Sequence, residues 1–194
     1  MLQVVKFLHK NNIVHGDINL CSLYMPRAKY NSTEFKKVYD PKCCKWASRH
    51  MIALDFDASI DLLAFEKGQT FKIDINPEAS ISEECFEFRH GKCWIYEPDW
   101  YATVLLIHLL LFQKPLETDE VYSDGEKPYI QIQSKFDQGW NNELWDLFFS
   151  TMLNLTFKSD WETMLDILCC NFEDYLVEKS VEKNLHEELI KYGI

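Results

Sequence analysis

The chain has 194 residues but only six glycines, and no two of them lie close together. Nucleotide-binding loops such as G-x-G-x-x-G and the Walker-type loop need clustered glycines, because several backbone N–H groups must approach a phosphate there. The G-x-S-x-G motif that carries a hydrolase nucleophile is absent as well. The sequence therefore contains no glycine-rich phosphate-binding loop. Its glycines are Gly16, Gly68, Gly91, Gly125, Gly139 and Gly193.

Basic residues are few compared with acidic ones: 20 Lys and Arg stand against 31 Asp and Glu, for a net charge of −11. An acidic surface repels phosphate backbones and anionic lipid, so we expect neither nucleic acid nor a membrane as a partner. The longest apolar run, residues 101–112, is too short to span a bilayer. No secretory signal is visible at the N-terminus.

The seven cysteines do not form a pattern typical of disulfides or of zinc. Their number is odd, and four of them lie in two adjacent pairs, which is awkward for a disulfide framework. A zinc site needs C-x-x-C or similar pairs, and the sequence has none. We therefore expect reduced thiols at Cys21, Cys43, Cys44, Cys85, Cys93, Cys169 and Cys170.

Apolar spacing predicts helices at both ends of the chain and short strands near the first end. A helix over 1–12 and an extended segment at Ile13-Val14 lead into His15-Gly16-Asp17. A strand over 51–54 leads into Asp55-Phe56-Asp57. From Asp99 to Pro115 the pattern predicts a helix that is buried on all sides. Further helices are predicted over 141–155, 160–170 and 173–191, loops over 60–98 and 118–137, and an exposed basic insertion over about 26–50.

A particular chemistry is suggested by two tripeptides that contain aspartate, His15-Gly16-Asp17 and Asp55-Phe56-Asp57. A helix, a strand, H-x-D, a second strand and then D-F-x is the order in which a protein kinase presents its catalytic and metal-binding loops. The first Asp orients the substrate hydroxyl or accepts its proton, and the second holds Mg²⁺. Cys85-Phe86-Glu87 stands where kinases carry A-P-E, and Asp99 begins the apolar helix. These features predict a mainly α (α+β) protein-kinase-like C-lobe with short β-strands around the two loops.

The details of these motifs resemble one family, the Bub/BubR kinases of the mitotic spindle checkpoint. The resemblance is carried by H-G-D, D-F-x, C-x-E and the segment ELWDLFF at residues 143–149 followed by Met152-Leu153-Asn154. The segment at residues 99–116 looks closer to the BubR branch. The resemblance implies a partial kinase domain over residues 1–192. Because the sequence starts just before the H-G-D loop, we expect the N-lobe to be missing from it.

The resemblance assigns roles to positions in both loops. Asp17 matches the catalytic-loop aspartate, and Asn19 takes the position of the lysine that steadies the transferred phosphoryl group. Ser22 takes the position of the asparagine that binds the second Mg²⁺, and Asp55 that of the aspartate that binds metal and nucleotide. Asp57 replaces a glycine and adds a negative charge. Losing one preorganised electrostatic group typically costs about 10²–10³ in rate.

Other positions are expected to be structural. By resemblance, His15 bonds the backbone near Asp55, while Glu87 and Asp99 satisfy buried partners. Gly16 replaces the arginine that grips a phosphorylated activation loop, so we do not expect control of that kind. We expect His108, inside the apolar helix, to be hydrogen-bonded and buried.

The resemblance implies a pseudokinase or scaffold in mitotic checkpoint signalling at kinetochores. Its partners would be checkpoint or kinetochore proteins, and its cofactor would be Mg-ATP if any nucleotide binds, or none. Its location would be the nucleus and kinetochore, and the cytoplasm in interphase. Two alternatives stay open: an active serine/threonine kinase when joined to an N-lobe, and a truncated fragment without independent function.

Overall fold

The computed structural model describes residues 1–24, 52–73, 84–122, 128–137 and 140–180. The predicted basic insertion at 26–50 lies outside them. The helices are α1 (Leu2–Lys10), α2 (Phe86–Arg89), α3 (Glu97–Phe112), α4 (Asn142–Asn154) and α5 (Trp161–Ser180). The strands are β1 (Ile13–Val14), β2 (Leu23–Tyr24), β3 (Ile52–Ala53), β4 (Ile60–Asp61), β5 (Thr118–Val121) and β6 (Tyr129–Ile132).

The core is built around α3, which α4 packs against. Trp100 and Val104 of α3 are almost completely buried. The side chains of α4 and α5 that are buried as deeply are Phe148, Phe149, Met152, Leu165 and Leu168. The prediction that α3 is buried on all sides is wrong for its last turns. Leu109 and Leu110 are 43% and 56% exposed there, because no described element covers that face.

Two short antiparallel ladders hold the predicted functional loops. Strand β1 pairs with β4, with Val14 opposite Ile60, and β2 pairs with β3, with Leu23 opposite Ala53. The chain leaves β1 directly into residues 15–22, here called the first loop. It leaves β3 directly into residues 54–59, here called the second loop. The two ladders therefore place the two loops side by side.

Strands β5 and β6 form an antiparallel hairpin inside the region predicted as a loop over 118–137, so that prediction is wrong for Thr118–Val121 and Tyr129–Ile132. Strands β5 and β6 pair with Glu120 opposite Ile130. Asn154, at the end of α4, holds the outer edge of β6: its Oδ1 accepts from Ile130 N and its Nδ2 donates to Ile130 O, both at 2.8 Å. Few side chains of the hairpin reach the core, which explains why hydrophobic periodicity did not reveal it.

The helix boundaries also differ from the predictions in places. Helix α5 runs without a break to Ser180, whereas two helices were predicted. Phe172, near the expected break, packs against Trp145 of α4 with ring centroids 5.1 Å apart, and this contact favours continuing the helix. The region 60–98, predicted as loop, contains β4, α2 and a 3₁₀ turn at Leu62–Ala64.

The described part of the chain holds free thiols at Cys21, Cys85, Cys93, Cys169 and Cys170, in agreement with the prediction. Cys43 and Cys44 lie outside the described residues. Within the described residues, no helix is both long and apolar enough to cross a membrane.

Candidate active site

The first loop is anchored to the start of α3 by Asp99. The Asp99 carboxylate is almost completely buried. Its Oδ2 accepts a hydrogen bond from the backbone N of His15 at 2.7 Å, and its Oδ1 accepts one from the backbone N of Gly16 at 2.9 Å. A buried carboxylate is tolerated where such donors replace water. Asp99 therefore sets the position of the backbone from which Asp17 projects.

His9 is a third partner of Asp99 that sequence reasoning missed. Its Nε2 lies 2.9 Å from Asp99 Oδ2, and its ring stacks on Tyr96 with centroids 4.3 Å apart. Trp100 and Trp161 approach it edge-on at 5.8 Å. The available signal was its spacing of four residues from Val5, which places it on the buried face of α1.

Within the first loop, the side chain of Asn19 bonds to its own neighbours. Its Nδ2 donates to Asp17 Oδ1 at 2.9 Å. Its Oδ1 accepts from the backbone N of Cys21 at 2.7 Å and of Ser22 at 3.1 Å. An amide that closes a turn in this way stays within the loop, and it has no positive charge to offer a phosphoryl group.

Ser22 is fully buried, and its hydroxyl bonds back to the same turn. Its Oγ accepts from Asn19 N at 2.8 Å and donates to Asn19 O at 3.0 Å. A metal ligand must point a free lone pair into the cleft where the ion binds. The Ser22 hydroxyl is enclosed by the loop instead. Asp17, in contrast, is exposed.

The second loop is tied to the first through His15. His15 Nε2 lies 3.0 Å from the carbonyl oxygen of Leu54, directly before Asp55. The His15 ring packs against Phe56 with centroids 5.0 Å apart. Asp55 has a left-handed backbone conformation, with φ of 61°, and its side chain is exposed, as is that of Asp57.

Gly16 allows the backbones of the two loops to approach closely. Its φ is +81°, a conformation that side chains rarely permit. A Cβ at this position would lie 2.4 Å from the carbonyl oxygen of Ala58, well inside contact distance. No arginine therefore fits at this position unless the second loop moves. The glycine of H-G-D is therefore required by the position of Ala58, which directly follows D-F-D.

Asp17 and Asp55 are thus exposed carboxylates on two adjacent, hydrogen-bonded loops. Mg²⁺ in phosphoryl-transfer sites takes one or two protein carboxylates, with phosphate and water supplying the rest of its ligands. Asp55 fits one such position, whereas buried Ser22 does not fit a second. Among the described residues, no group of three or more His, Cys, Asp and Glu is arranged to hold a metal ion.

Two further glutamates are buried. Glu87 of α2 was predicted to be structural, and it is buried. Glu97, at the start of α3, was not predicted. Its carboxylate accepts from the backbone N of Ile95 at 2.8 Å, of Tyr96 at 3.1 Å and of Phe157 at 2.6 Å. Burial raises the pKa of Glu97, and the N–H donors oppose that rise. Glu97 therefore ties the helix that carries Asp99 to the segment between α4 and α5.

This chain is similar to known proteins along most of its length, although no family model matches it. It is 26% identical over 185 residues to the spindle assembly checkpoint serine/threonine-protein kinase bub1 of Schizosaccharomyces pombe. It is 28% identical over 198 residues to the mitotic checkpoint serine/threonine-protein kinase BUB1 of Arabidopsis thaliana. The crystal structure of a BubR1 kinase domain matches with a TM-score of 0.65 and 23% identity. The chain is a relative of the Bub/BubR kinase domains.

The Bub/BubR likeness covers nearly all of this chain but only part of each relative. The alignment with the fission yeast protein covers 92% of the chain, and the superposition on the solved structure covers 94% of it. The chain spans 17% of the yeast protein, 36% of the plant protein and 51% of the BubR1 chain. The structural match confirms the predicted fold class, a mainly α, α+β, kinase-like C-lobe.

Proposed function

We propose that this kinase-like domain works in mitotic checkpoint signalling mainly as a binding scaffold, with little or no phosphoryl transfer. The observation that carries the proposal is the internal bonding of the first loop. Asn19 and Ser22 hold the positions of a catalytic lysine and a metal-binding asparagine, and both bond within their own turn. Two electrostatic stabilisers are then absent from the transition state, each worth roughly 10²–10³ in rate.

The contact between the two loops supports the same proposal. Gly16 leaves no side chain that could grip a phosphate on the activation segment, and Ala58 fills the space where that side chain would begin. Activation by loop phosphorylation would therefore need a different receptor. In a scaffold, the two loops need only be rigid, and their hydrogen bonds to Asp99 and Leu54 favour rigidity.

The proposed partners are checkpoint or kinetochore proteins, and the proposed location is the nucleus and kinetochore, with cytoplasm in interphase. The similarity to spindle assembly and mitotic checkpoint kinases supports both proposals. If nucleotide binds, Asp55 is the residue that we propose to hold Mg²⁺ beside it. The metal would neutralise the phosphates, while Asp17 would orient a hydroxyl in the cleft.

One observation favours a second candidate, an active serine/threonine kinase completed by an N-lobe. Asp17 and Asp55 are both exposed, and the loops that carry them are connected through His15 and Leu54. These two carboxylates are the groups that phosphoryl transfer needs most from a C-lobe. The second candidate therefore predicts activity that disappears when Asp17 is changed to Asn.

The deciding experiment measures phosphoryl transfer by the intact protein that carries this chain, beside an Asp17→Asn variant. We expect equal, background rates, and a wild-type rate clearly above the variant would overturn the scaffold proposal. Thermal melting with Mg-ATP tests binding separately, because a ligand at 100 times its dissociation constant stabilises a fold by about 2.7 kcal/mol. Absence of any cooperative transition in the isolated 194-residue chain would instead favour the truncated fragment.

A further inference from the structure

Tyr122 directly follows β5, and its side chain is 67% exposed. Its hydroxyl donates a hydrogen bond of 2.7 Å to Glu120 Oε2, two residues earlier on the same face of the strand. An exposed phenol at the end of a strand is accessible to an enzyme that modifies hydroxyl groups. Neither the fold nor the proposed scaffold role uses this side chain.

The same carboxylate is also the partner of two basic side chains from the end of α2. Arg89 Nη1 lies 2.8 Å from Glu120 Oε1, and His90 Nε2 lies 4.0 Å from Glu120 Oε2. A guanidinium, an imidazole and a phenol therefore surround one carboxylate. The Tyr122 hydroxyl and the Arg89 guanidinium are separated only by the Glu120 side chain.

Acidic residues surround Tyr122 in the sequence. Asp119 and Glu120 precede it, and Asp124 and Glu126 follow it. A tyrosine in such surroundings suits a modifying kinase with a basic substrate groove, by charge complementarity. Tyr129, on the partner strand, offers an internal contrast, because it is less exposed, at 46%, and has one acidic residue within four positions where Tyr122 has four.

We propose that Tyr122 is a phosphorylation site and that Arg89 is the receptor of its phosphate. A separate tyrosine kinase that prefers acidic substrates would transfer the phosphoryl group from ATP. The bond between the γ-phosphorus of ATP and its bridging oxygen breaks, and a bond from that phosphorus to Tyr122 Oη forms. The phenol proton passes to the base of the modifying kinase, and ADP leaves.

Phosphorylation changes the contacts around Glu120 in a defined way. A phosphate carries close to two negative charges and repels the adjacent carboxylate, while arginine binds phosphate strongly and with two parallel hydrogen bonds. The phosphate therefore displaces Glu120 from Arg89. The link between α2 and the β5–β6 hairpin then depends on the phosphate, which makes it a switch next to the predicted end of the activation segment.

The first experiment incubates the intact protein with Mg-ATP and a recombinant tyrosine kinase that prefers acidic substrates, and maps the phosphate by mass spectrometry. We expect phosphate on Tyr122 in the wild type and in the matched control Tyr129→Phe, and loss of that phosphate in Tyr122→Phe. A synthetic peptide of residues 117–127 shows that the kinase accepts this segment. Labelling of the peptide but not of Tyr122 in the protein would overturn the proposal.

The second experiment tests the receptor by a phosphorus NMR titration of the phosphorylated protein. Contact with Arg89 lowers the pKa of the phosphate, so Arg89→Gln is expected to shift its titration to higher pH. Lys92→Gln removes the same charge from a nearby exposed side chain and is expected to leave the titration nearly unchanged. Equal titrations in all three proteins would show that Arg89 does not receive the phosphate.

Discussion

Two neighbouring regions of the site differ in what their hydrogen bonds hold in place. One is the anchor cluster, formed by His9, His15, Gly16 and Asp99, in which a buried carboxylate satisfies two backbone N–H groups and an imidazole. The other is the turn at residues 17–22, where Asn19 bonds to Asp17 and Ser22 bonds to Asn19. The first region therefore supports the loop from behind a buried carboxylate, and the second determines which groups the loop presents.

This difference indicates what the loop is needed for. A fold loses stability when a buried hydrogen-bonded carboxylate is removed, whatever the domain does. Side chains that serve only phosphoryl transfer can change without that penalty. In the proposed scaffold the buried anchor is therefore kept, whereas Asn19 and Ser22 are free to differ from the residues whose positions the resemblance assigns to them.

The largest effect is expected from breaking the anchor cluster. Asp99→Ala leaves the backbone N–H groups of His15 and Gly16 and the ring of His9 without an acceptor, and we predict a loss of about 3–5 kcal/mol in the free energy of unfolding. Asp99→Asn, which keeps one acceptor oxygen, should lose less. Urea unfolding of both variants checks this, and equal stability of Asp99→Ala and the wild type would contradict it.

The next effect concerns the close approach of the two loops. Gly16→Ala is predicted to cost about 2–3 kcal/mol, because it combines left-handed backbone strain with a contact against Ala58 O. Gly68→Ala is the matched control, since Gly68 has the same φ of +81° but no atom within 4 Å of its would-be Cβ. Unfolding measurements should show the control to be clearly milder, and equal losses would mean that the loop contact does not matter.

A smaller effect is expected from restoring the metal-binding asparagine. Ser22→Asn inserts a larger side chain into a fully buried position and should cost about 1–2 kcal/mol without creating phosphoryl transfer. Cys21→Asn places the same side chain at the exposed neighbouring position and should be nearly neutral. A gain of kinase activity in Ser22→Asn would show that the turn still accommodates catalysis.

The smallest effect is a dependence of stability on pH through Glu97. Its folded-state pKa is raised by burial, so the folded state holds this proton more tightly than the unfolded state. Stability from this group is therefore greatest below the ordinary pKa of a glutamate and falls as the pH rises through the raised value. Unfolding free energies across this range should fall less steeply in Glu97→Gln than in the wild type; identical slopes would refute the assignment.

The elements that were predicted well have a strong local signal. The run from Asp99 to Phe112 is long and apolar, which predicted a helix in the core, and short apolar runs before His15 and Asp55 predicted the strands that lead into the two loops. His108 was expected to be hydrogen-bonded, and its Nε2 lies 2.8 Å from Ser134 Oγ. The β5–β6 hairpin was missed because contacts with Asn154, distant in sequence, stabilise it.

By itself, the sequence determined the kinase-like fold, the order of its loops and the residue types that stand in them, because these depend on local periodicity and on motif spacing. Only the tertiary structure decided that His9 and Glu97 belong to the support of the site, that Ser22 is enclosed and that Gly16 faces Ala58. Each of these depends on distances between segments far apart in the chain. Such distances are set by packing of the whole domain, which no local pattern encodes.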